Sequence, residues 1–89
     1  MQVQFLYSSQ ISSREQLHHL LAKQLAFPDH YGNNLDALYD CLSSRSTPLE
    51  LIVIESDLLR KKLPNYGESF LRVLKDASAE NRSFQLKLR

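Results

Sequence analysis

Residues 49–54 read Leu49-Glu50-Leu51-Ile52-Val53-Ile54, a nearly continuous apolar run that is rich in β-branched residues. Its short length and its β-branched side chains favour a β-strand over a helix. An apolar run of this kind is typical of a strand that is covered on both faces, as in the middle of a parallel sheet. We therefore expect this segment to be the central strand of the fold.

Two further segments, at opposite ends of the chain, alternate in the way that strands do. In Gln2–Tyr7, the side chains of Val3, Phe5 and Tyr7 fall on one face. Residues 83–88 alternate in the same way. We predict strands in both segments, with the last one at an edge of the sheet.

Helical patterns fill the chain between the first two predicted strands. Ser12 and Glu15 have the spacing of a capping box, which predicts a helix start, and Pro28 is expected to end that helix. Gly32 is expected to take a positive φ in the turn that follows. Asn34 is a predicted N-cap for a second helix that closes at residues 43–44.

Two more helices are predicted between the central strand and the last one. Ser56 is expected to cap a short helix from Asp57 to about Lys62. The longest helix is predicted from Glu68 to Glu80, with Asn81 as its C-cap.

This order of elements, β-α-α-β-α-α-β, predicts an α/β fold. The chain between consecutive strands is much longer than a hairpin needs, so the strands should be parallel and joined by right-handed crossovers. We expect a three-stranded parallel sheet in the order 1-2-3 with the helices packed against it. A chain of 89 residues fits a single domain over residues 1–89.

Composition points to a cytoplasmic protein without a membrane segment. The single cysteine, Cys41, excludes an internal disulfide and shares the apolar side of the second helix, where it should pack as a small hydrophobic residue. No signal peptide or membrane-spanning run is evident. A net charge of +1 argues neither for nor against nucleic acid, and we expect no direct nucleic-acid partner.

The sequence carries no recognisable pattern for catalysis, a metal or a cofactor. His18 and His19 are adjacent and lack the i, i+4 spacing of a helical zinc site, and the two glycines cannot form a phosphate-binding loop. We therefore expect neither enzymatic activity nor a cofactor or metal. The basic run at residues 60–62 could face RNA or an acidic surface, although a solvated helix face explains it as well.

The second helix and the turn before it are unusually acidic. No Lys or Arg occurs between Lys23 and Arg45, although the chain as a whole has a charge of +1. Asp36 and Asp40 are four residues apart, and like charges at this spacing destabilise a helix. Tyr39 lies beside them.

The longest predicted helix has the same feature. Asp76 and Glu80 are also four residues apart, in the C-terminal half, where the helix dipole disfavours anions. A solvated face is the simple explanation for either pair alone. Two such pairs indicate a functional surface, because charges that destabilise a helix without an evident structural benefit are common at functional sites. We call Asp36, Asp40, Asp76 and Glu80 the acidic patch.

Two functions fit these carboxylates. They could act as acids, bases or metal ligands in an enzyme pocket, or they could bind a basic protein. The binding hypothesis is preferred, because a short helix forms a ridge better than a pocket wall. It also accounts for Tyr31 and Tyr39, since aromatic residues are favoured at the centres of interfaces.

The residues from Pro28 to Leu42, P-D-H-Y-G-N-N-L-D-A-L-Y-D-C-L, closely resemble the turn and second helix of the barstar family. The family consists of small intracellular inhibitors of a secreted ribonuclease, and the resemblance extends over almost the whole chain. It implies the same three-stranded parallel architecture. It also implies inhibition by insertion of the acidic helix and the turn into the cationic active site of a ribonuclease, in place of RNA phosphates.

The resemblance implies a set of partner-binding residues in the turn, the second helix and the fourth helix. They are His30, Tyr31, Asn34, Leu35, Asp36, Tyr39, Asp40, Ser44, Asp76 and Glu80. Three positions depart from the family pattern: Tyr39 replaces a tryptophan, His30 replaces an aromatic contact residue, and Arg45 lies where the family is aromatic and acidic. The partner is therefore expected to be a basic protein, either a ribonuclease or another target, and the free protein is expected to be a monomer.

Overall fold

Three parallel strands form the sheet of the computed structural model, which describes residues 2–89. The strands are β1 (Gln2–Tyr7), β2 (Leu49–Ile54) and β3 (Phe84–Leu88). They lie in the order β1-β2-β3, and both pairings are parallel. The predicted α/β class, the strand order and the central position of residues 49–54 are confirmed.

Four helices connect these strands within residues 2–89. They are α1 (Arg14–Gln24), α2 (Leu35–Ser43), α3 (Ser56–Lys62) and α4 (Tyr66–Glu80), and a 3-10 turn at Ser8–Gln10 follows β1. In this part of the chain, no helix combines the length and the apolar character that a bilayer crossing requires.

One face of the sheet carries the hydrophobic core. Leu6 of β1 lies opposite Val53 of β2, which lies opposite Leu88 of β3, and Leu49 lies opposite Phe84 in the same way. Leu6, Leu49, Val53 and Phe84 are buried. The helices complete this core with buried side chains, which are Leu17, Leu21, Leu38, Leu42, Leu59, Phe70, Leu71, Leu74 and Ala77.

The other face of the sheet is not covered by helices, contrary to the expectation for β2. Val3, Phe5 and Tyr7 are on this face, and each is between 43% and 45% exposed. On the outward face of β2, Ile52 is covered by its neighbours in the sheet instead of by a helix, because it lies between Phe5 of β1 and Lys87 of β3 in the strand register. The fold therefore has two layers, which agrees with its smallest dimension of 19 Å.

The start of α1 differs from the prediction by one residue. Ser13, not Ser12, is the N-cap, and its hydroxyl accepts a hydrogen bond from the Gln16 backbone N–H at 3.1 Å. The Gln16 side chain accepts in turn from the Ser12 backbone N–H at 2.7 Å. Gln16 therefore makes the return hydrogen bond to the Ser12 N–H that the capping-box spacing predicts for Glu15.

The helix α1 also ends earlier than Pro28. It ends at Gln24, and Ala26 has a φ of 56°. The Phe27 N–H donates to the Ala22 carbonyl across this left-handed residue at 2.9 Å. Pro28 follows the reversal and does not cause it.

Three other local predictions need correction. The positive φ in the turn before α2 belongs to Asn33, at 54°, and Gly32 has none. Asparagine tolerates this left-handed region better than most residues. Ser56 lies inside α3, which starts after Glu55 with its φ of 59°, and α4 begins at Tyr66, two residues before Glu68.

We predict that Gly67→Ala destabilises the protein. A Cβ at this buried position would lie 2.7 Å from the Leu59 carbonyl oxygen and 3.2 Å from the Arg60 Cα, both of which are backbone atoms of α3. The expected loss is about 1–3 kcal/mol of unfolding free energy, because α3 and α4 must move apart. Chemical denaturation measures this loss.

Gly32→Ala is the matched control. Its Cβ would approach only side-chain atoms, those of Asn34 at 3.1 Å and Ala37 at 3.5 Å. The exposed Asn34 side chain can adjust, so the unfolding free energy should stay within about 1 kcal/mol of wild type. Equal losses in both variants would contradict the close approach of α3 and α4.

Candidate protein-binding site

A tight turn at residues 28–34 positions the start of α2. The Tyr31 N–H donates to the Pro28 carbonyl at 2.9 Å. The Asn34 Oδ1 accepts from the Ala37 N–H at 2.8 Å, and the Asn34 Nδ2 donates to the Gly32 carbonyl at 3.2 Å. Asn34 is therefore the N-cap, as predicted, and the same side chain ties the turn to the helix.

The helix α2 is amphipathic in the predicted way. Leu38 and Leu42 are fully buried, and Asp36 and Asp40 are exposed on the opposite side. Cys41 is half-buried against the core, and burial raises the pKa of its thiol, with a smaller contribution from the nearby Asp40 charge. The cysteine packs against the core, but less deeply than expected.

The other half of the acidic patch lies on α4, which packs against α2. Asp76 and Glu80 are exposed, whereas Phe70, Leu74 and Ala77 on the opposite side are buried in the core. The C-terminal ends of the two helices meet, because the side chain that follows Glu80 reaches the last turn of α2. Neither helix has a basic residue in its last turn.

The carboxylates of the acidic patch have no ion-pair partner within residues 2–89. The salt bridges found there join Arg14 to Glu15, Arg60 to Asp57 and Glu68, and Lys87 to Glu50. Arg45 is close to the C-terminal end of α2, but its guanidinium donates to neutral oxygens, at 3.1 Å to the Thr47 carbonyl and 3.2 Å to Gln2 Oε1. The four carboxylates therefore lie unpaired on two neighbouring helices, and the C-terminal end of each helix carries a partial negative charge.

The predicted contact residues differ in exposure. His30, Asn34 and Ser44 are exposed together with the four residues of the acidic patch, and Leu35 and Tyr39 are half-buried. Tyr31 is only 9% exposed and belongs to the core cluster. Tyr31 can thus support a contact surface mainly from beneath, by fixing the turn.

A buried hydrogen-bond chain holds Tyr31 in place. His18 Nδ1 lies 2.7 Å from the Tyr31 hydroxyl, and His18 Nε2 lies 2.5 Å from the Tyr66 hydroxyl. A neutral imidazole has one donor and one acceptor nitrogen, so one tyrosine donates to His18 and the other accepts from it. This chain connects α1, the turn before α2 and the start of α4.

Burial sets the protonation of this chain. It lowers the pKa of His18, and the negative charge of Glu15 opposes the shift only in part. Burial likewise raises the pKa of both Tyr31 and Tyr66, with smaller contributions from neighbouring groups. His18 is consequently neutral and both tyrosines keep their hydroxyl protons near neutral pH.

The basic run at residues 60–62 does not form an open cationic surface. Arg60 pairs with Asp57 at 2.6 Å and with Glu68 at 2.7 Å. Lys62 donates to the backbone carbonyls of Ser8 and Ser9 at 3.1 and 3.0 Å. Two of the three cations therefore hold α3 against its neighbours.

The carboxylates of the acidic patch do not line the concave sites found in the described chain. A cleft of about 470 Å³ lies between α1 and the start of α2, and its lining includes Arg14, Glu15, His19 and Tyr66 but no carboxylate of the patch. Across residues 2–89, no group of three His, Cys, Asp or Glu side chains is placed to hold a metal ion. The carboxylates stand on exposed helix faces instead.

Sequence reasoning missed the role of one residue beside the patch. The sequence predicts Asn81 only as the cap of α4, and its backbone N–H does bond the Ala77 carbonyl. Its side chain, however, bonds the backbone of α2 and the loop after it. An Asn at a helix end is the only signal in the sequence, and that signal cannot identify a partner 36–39 residues away.

The class of protein that these observations define is a small two-layer α/β domain with unpaired, exposed carboxylates on two neighbouring helices. The chain belongs to the barstar family, described as "Barstar (barnase inhibitor)", which matches residues 1–89. It is also similar to the "Putative ribonuclease inhibitor YrdF" of Bacillus subtilis (strain 168), with 40% identity over 67 residues that cover 74% of each chain. The resemblance inferred from residues 28–42 is confirmed.

We predict that acid weakens the fold through His18. Since folding lowers the pKa of this histidine, the unfolded chain binds more protons between the folded-state pKa and the ordinary value of about 6.5. The unfolding free energy should therefore be highest above about pH 6.5 and fall as the pH decreases toward 5. Denaturation at several pH values measures this slope.

The comparison uses two histidine variants. His18→Gln should flatten the slope between about pH 6.5 and 5, because the titrating group is gone. His19→Gln alters the adjacent exposed histidine and should leave the slope of the wild type. An unchanged slope in His18→Gln would show that other groups cause the acid sensitivity.

Proposed function

We propose that this protein inhibits a ribonuclease by placing α2, the preceding turn and the end of α4 against the cationic active site of the enzyme. The observation that carries the proposal is the set of unpaired carboxylates Asp36, Asp40, Asp76 and Glu80 on two helices whose C-terminal ends meet. Membership of the barstar family and similarity to a protein named as a ribonuclease inhibitor support it.

The physical basis is charge complementarity. An active site that binds RNA phosphates carries cationic side chains, and carboxylates can take the place of those phosphates. Hydrogen bonds between carboxylates and guanidinium groups are among the strong kinds, especially when two form in parallel. Because the carboxylates are unpaired in the free protein, binding breaks no internal salt bridge of the described chain.

The proposed contact surface has a charged centre and a less polar border. The four carboxylates form the centre, and Tyr39 and Leu35 are half-exposed beside them on α2. His30, Asn34 and Ser44 complete the surface at the two ends of α2. Tyr31 contributes by holding the turn through its bond to His18.

We propose a binding role without catalysis. The carboxylates lie outside the cleft at residues 14–19, and exposed groups on a convex surface cannot exclude water from a substrate. We also propose that the chain acts as a single monomeric domain in the cytoplasm, where a lone thiol such as Cys41 is compatible with reducing conditions.

A second candidate is a basic partner that is not a ribonuclease. The departure at Arg45 motivates it, because a cation stands where the family is aromatic and acidic, and a partner matched to this chain would differ from the usual target opposite that position. Affinity capture with the purified protein, followed by a ribonuclease assay of whatever binds, separates the two. Captured protein with ribonuclease activity that the inhibitor suppresses supports the first proposal, and an inactive basic partner supports the second.

We predict that Asp40→Ala weakens binding strongly without destabilising the fold. The carboxylate is exposed and carries a like-charge penalty from Asp36, so the unfolding free energy should stay within about 0.5 kcal/mol of wild type. In the complex its loss leaves partner cations buried and unpaired, which costs about 2–5 kcal/mol of binding free energy. Asp36→Ala should have a smaller effect.

Asp57→Ala is the control for this prediction. It removes an exposed carboxylate from α3, outside the acidic patch, and should leave the affinity for the ribonuclease unchanged. Thermal unfolding and titration calorimetry on all three variants provide the measurements. Wild-type affinity in both Asp40→Ala and Asp36→Ala would mean that α2 is not the binding surface.

We also predict that salt slows association. The acidic patch should attract a cationic active site over distances comparable to the Debye length, which is about 8 Å at 0.15 M ionic strength. The association rate constant should fall as salt is raised, whereas the dissociation rate constant should change much less. Stopped-flow measurements over a salt series can test this, and an association rate indifferent to salt would contradict electrostatic steering.

A further inference from the structure

The side chain of Asn81 joins the two acidic helices. Its Nδ2 donates to the Leu42 carbonyl in α2 and to the Arg45 carbonyl just after α2, both at 2.8 Å. Its Oδ1 accepts from the Ser83 backbone N–H at 2.9 Å. Both N–H groups of the amide therefore donate to backbone carbonyls that belong to another part of the chain.

These bonds satisfy carbonyls that α2 cannot satisfy by itself. The last carbonyls of a helix have no partner within the helix. Ser44 bonds the Asp40 carbonyl through its N–H and its hydroxyl. Besides Asn81, the Leu42 carbonyl has a long 3.5 Å contact from the Arg45 N–H and shares the Ser44 N–H with the Asp40 carbonyl. Asn81 therefore caps α2 from the end of α4.

We propose that Asn81 is a positioning residue for the acidic patch, an inference that rests on the proposed function. Asp40 lies two residues before Leu42, and Glu80 lies immediately before Asn81. A single amide thereby ties the C-terminal ends of the two carboxylate-bearing helices to each other. Holding the carboxylates in place before the partner arrives reduces the ordering that binding would otherwise require.

The chemistry of asparagine suits this place. The meeting helix ends are negative, so a Lys or Arg would be the favourable residue for stability alone. A cation there would also reduce the net negative charge of the two helix ends. The neutral amide satisfies the carbonyls and leaves the carboxylates free for a partner.

The experiment compares Asn81→Ala with a matched control in binding to a ribonuclease captured by the wild type. Gln24→Ala is the control, because Gln24 is also a half-buried neutral amide with two donated bonds, at 2.7 Å to the Phe5 carbonyl and 2.9 Å to Gln4 Oε1. Those bonds tie α1 to β1, away from the patch. A variant that only lowers stability keeps the affinity of its folded molecules, so Gln24→Ala should bind like wild type.

Asn81→Ala should dissociate from the ribonuclease about tenfold faster, with an association rate within about twofold of wild type, because the charge that steers the encounter is retained. Asn81→Ser keeps a single donor and should give an intermediate dissociation rate. Surface plasmon resonance at one salt concentration measures all the rates. Wild-type dissociation rates in both variants would overturn the proposal.

Asn81→Asp separates positioning from charge. It adds a negative charge to the patch but loses the two donated bonds. If charge alone mattered, this variant would bind tighter than wild type, and that result would also overturn the proposal. We expect faster association, a larger increase in dissociation, and weaker binding as the net result.

Hydrogen exchange tests the same inference without a partner. The backbone amides of Ser44 and Arg45, at the end of α2, should exchange faster in Asn81→Ala and at the wild-type rate in Gln24→Ala. Unchanged exchange in Asn81→Ala would overturn the positioning role. If the wild type binds no ribonuclease, the proposed function fails, and the exchange result still decides whether Asn81 holds α2.

Discussion

The parallel pairing of β2 with both β1 and β3 is the constraint on which the rest of the structure depends. Consecutive parallel strands need crossover connections, and these are almost always right-handed. In the order β1-β2-β3 both crossovers advance across the sheet in the same direction, so their helices fall on the same face. The two-layer arrangement, with Val3, Phe5 and Tyr7 exposed on the other face, follows from this constraint.

The same constraint brings the acidic helices together. The helix that precedes β2 is α2, and the helix that precedes β3 is α4, so adjacent strands place these helices side by side on the sheet. Each helix runs back toward the start of the strand that follows it. Their C-terminal ends therefore meet at one end of the sheet, where Asn81 joins them. The acidic patch is a product of topology as much as of composition.

Repulsion between the carboxylates within α2 and within α4 is tolerated because burial of the core side chains supplies the stability. Like charges four residues apart cost only about 0.2–0.5 kcal/mol per pair in a helix. Burial of Leu38, Leu42 and Leu74 contributes far more, at about 1.5–3 kcal/mol for each fully buried side chain. The fold can thus keep unpaired carboxylates on the surface of helices whose buried sides hold them in place.

The buried chain of Tyr31, His18 and Tyr66 gives the turn before α2 a second support. The turn has few regular backbone bonds, and its other fixed point is the cap formed by Asn34. Hydrogen bonds between a core histidine and the tyrosines of the turn and of α4 link the turn to the interior. The buried side chain of Tyr31 therefore fixes the turn before α2 from its core side.

The sequence by itself determined the element types, the parallel sheet and its order, and the amphipathic faces of α2 and α4. Hydrophobic periodicity and connection length are local properties, so the spacing of Leu38 and Asp40 is enough to assign them to opposite sides of α2. Local signals also failed at the ends of elements. Ala26 and Glu55 adopt positive φ without being glycine or asparagine, and no local sequence pattern marks them.

Only the tertiary structure decided what lies next to what. It buried Tyr31 by pairing it with His18, it left one face of the sheet open, and it engaged Arg60 and Lys62 in contacts within the protein. It also directed the Asn81 amide to α2 and not to its own helix. The hydrogen bonds of Tyr31, Lys62 and Asn81 join residues that are distant in the chain, and a bond of that kind has no periodicity by which a sequence could reveal it.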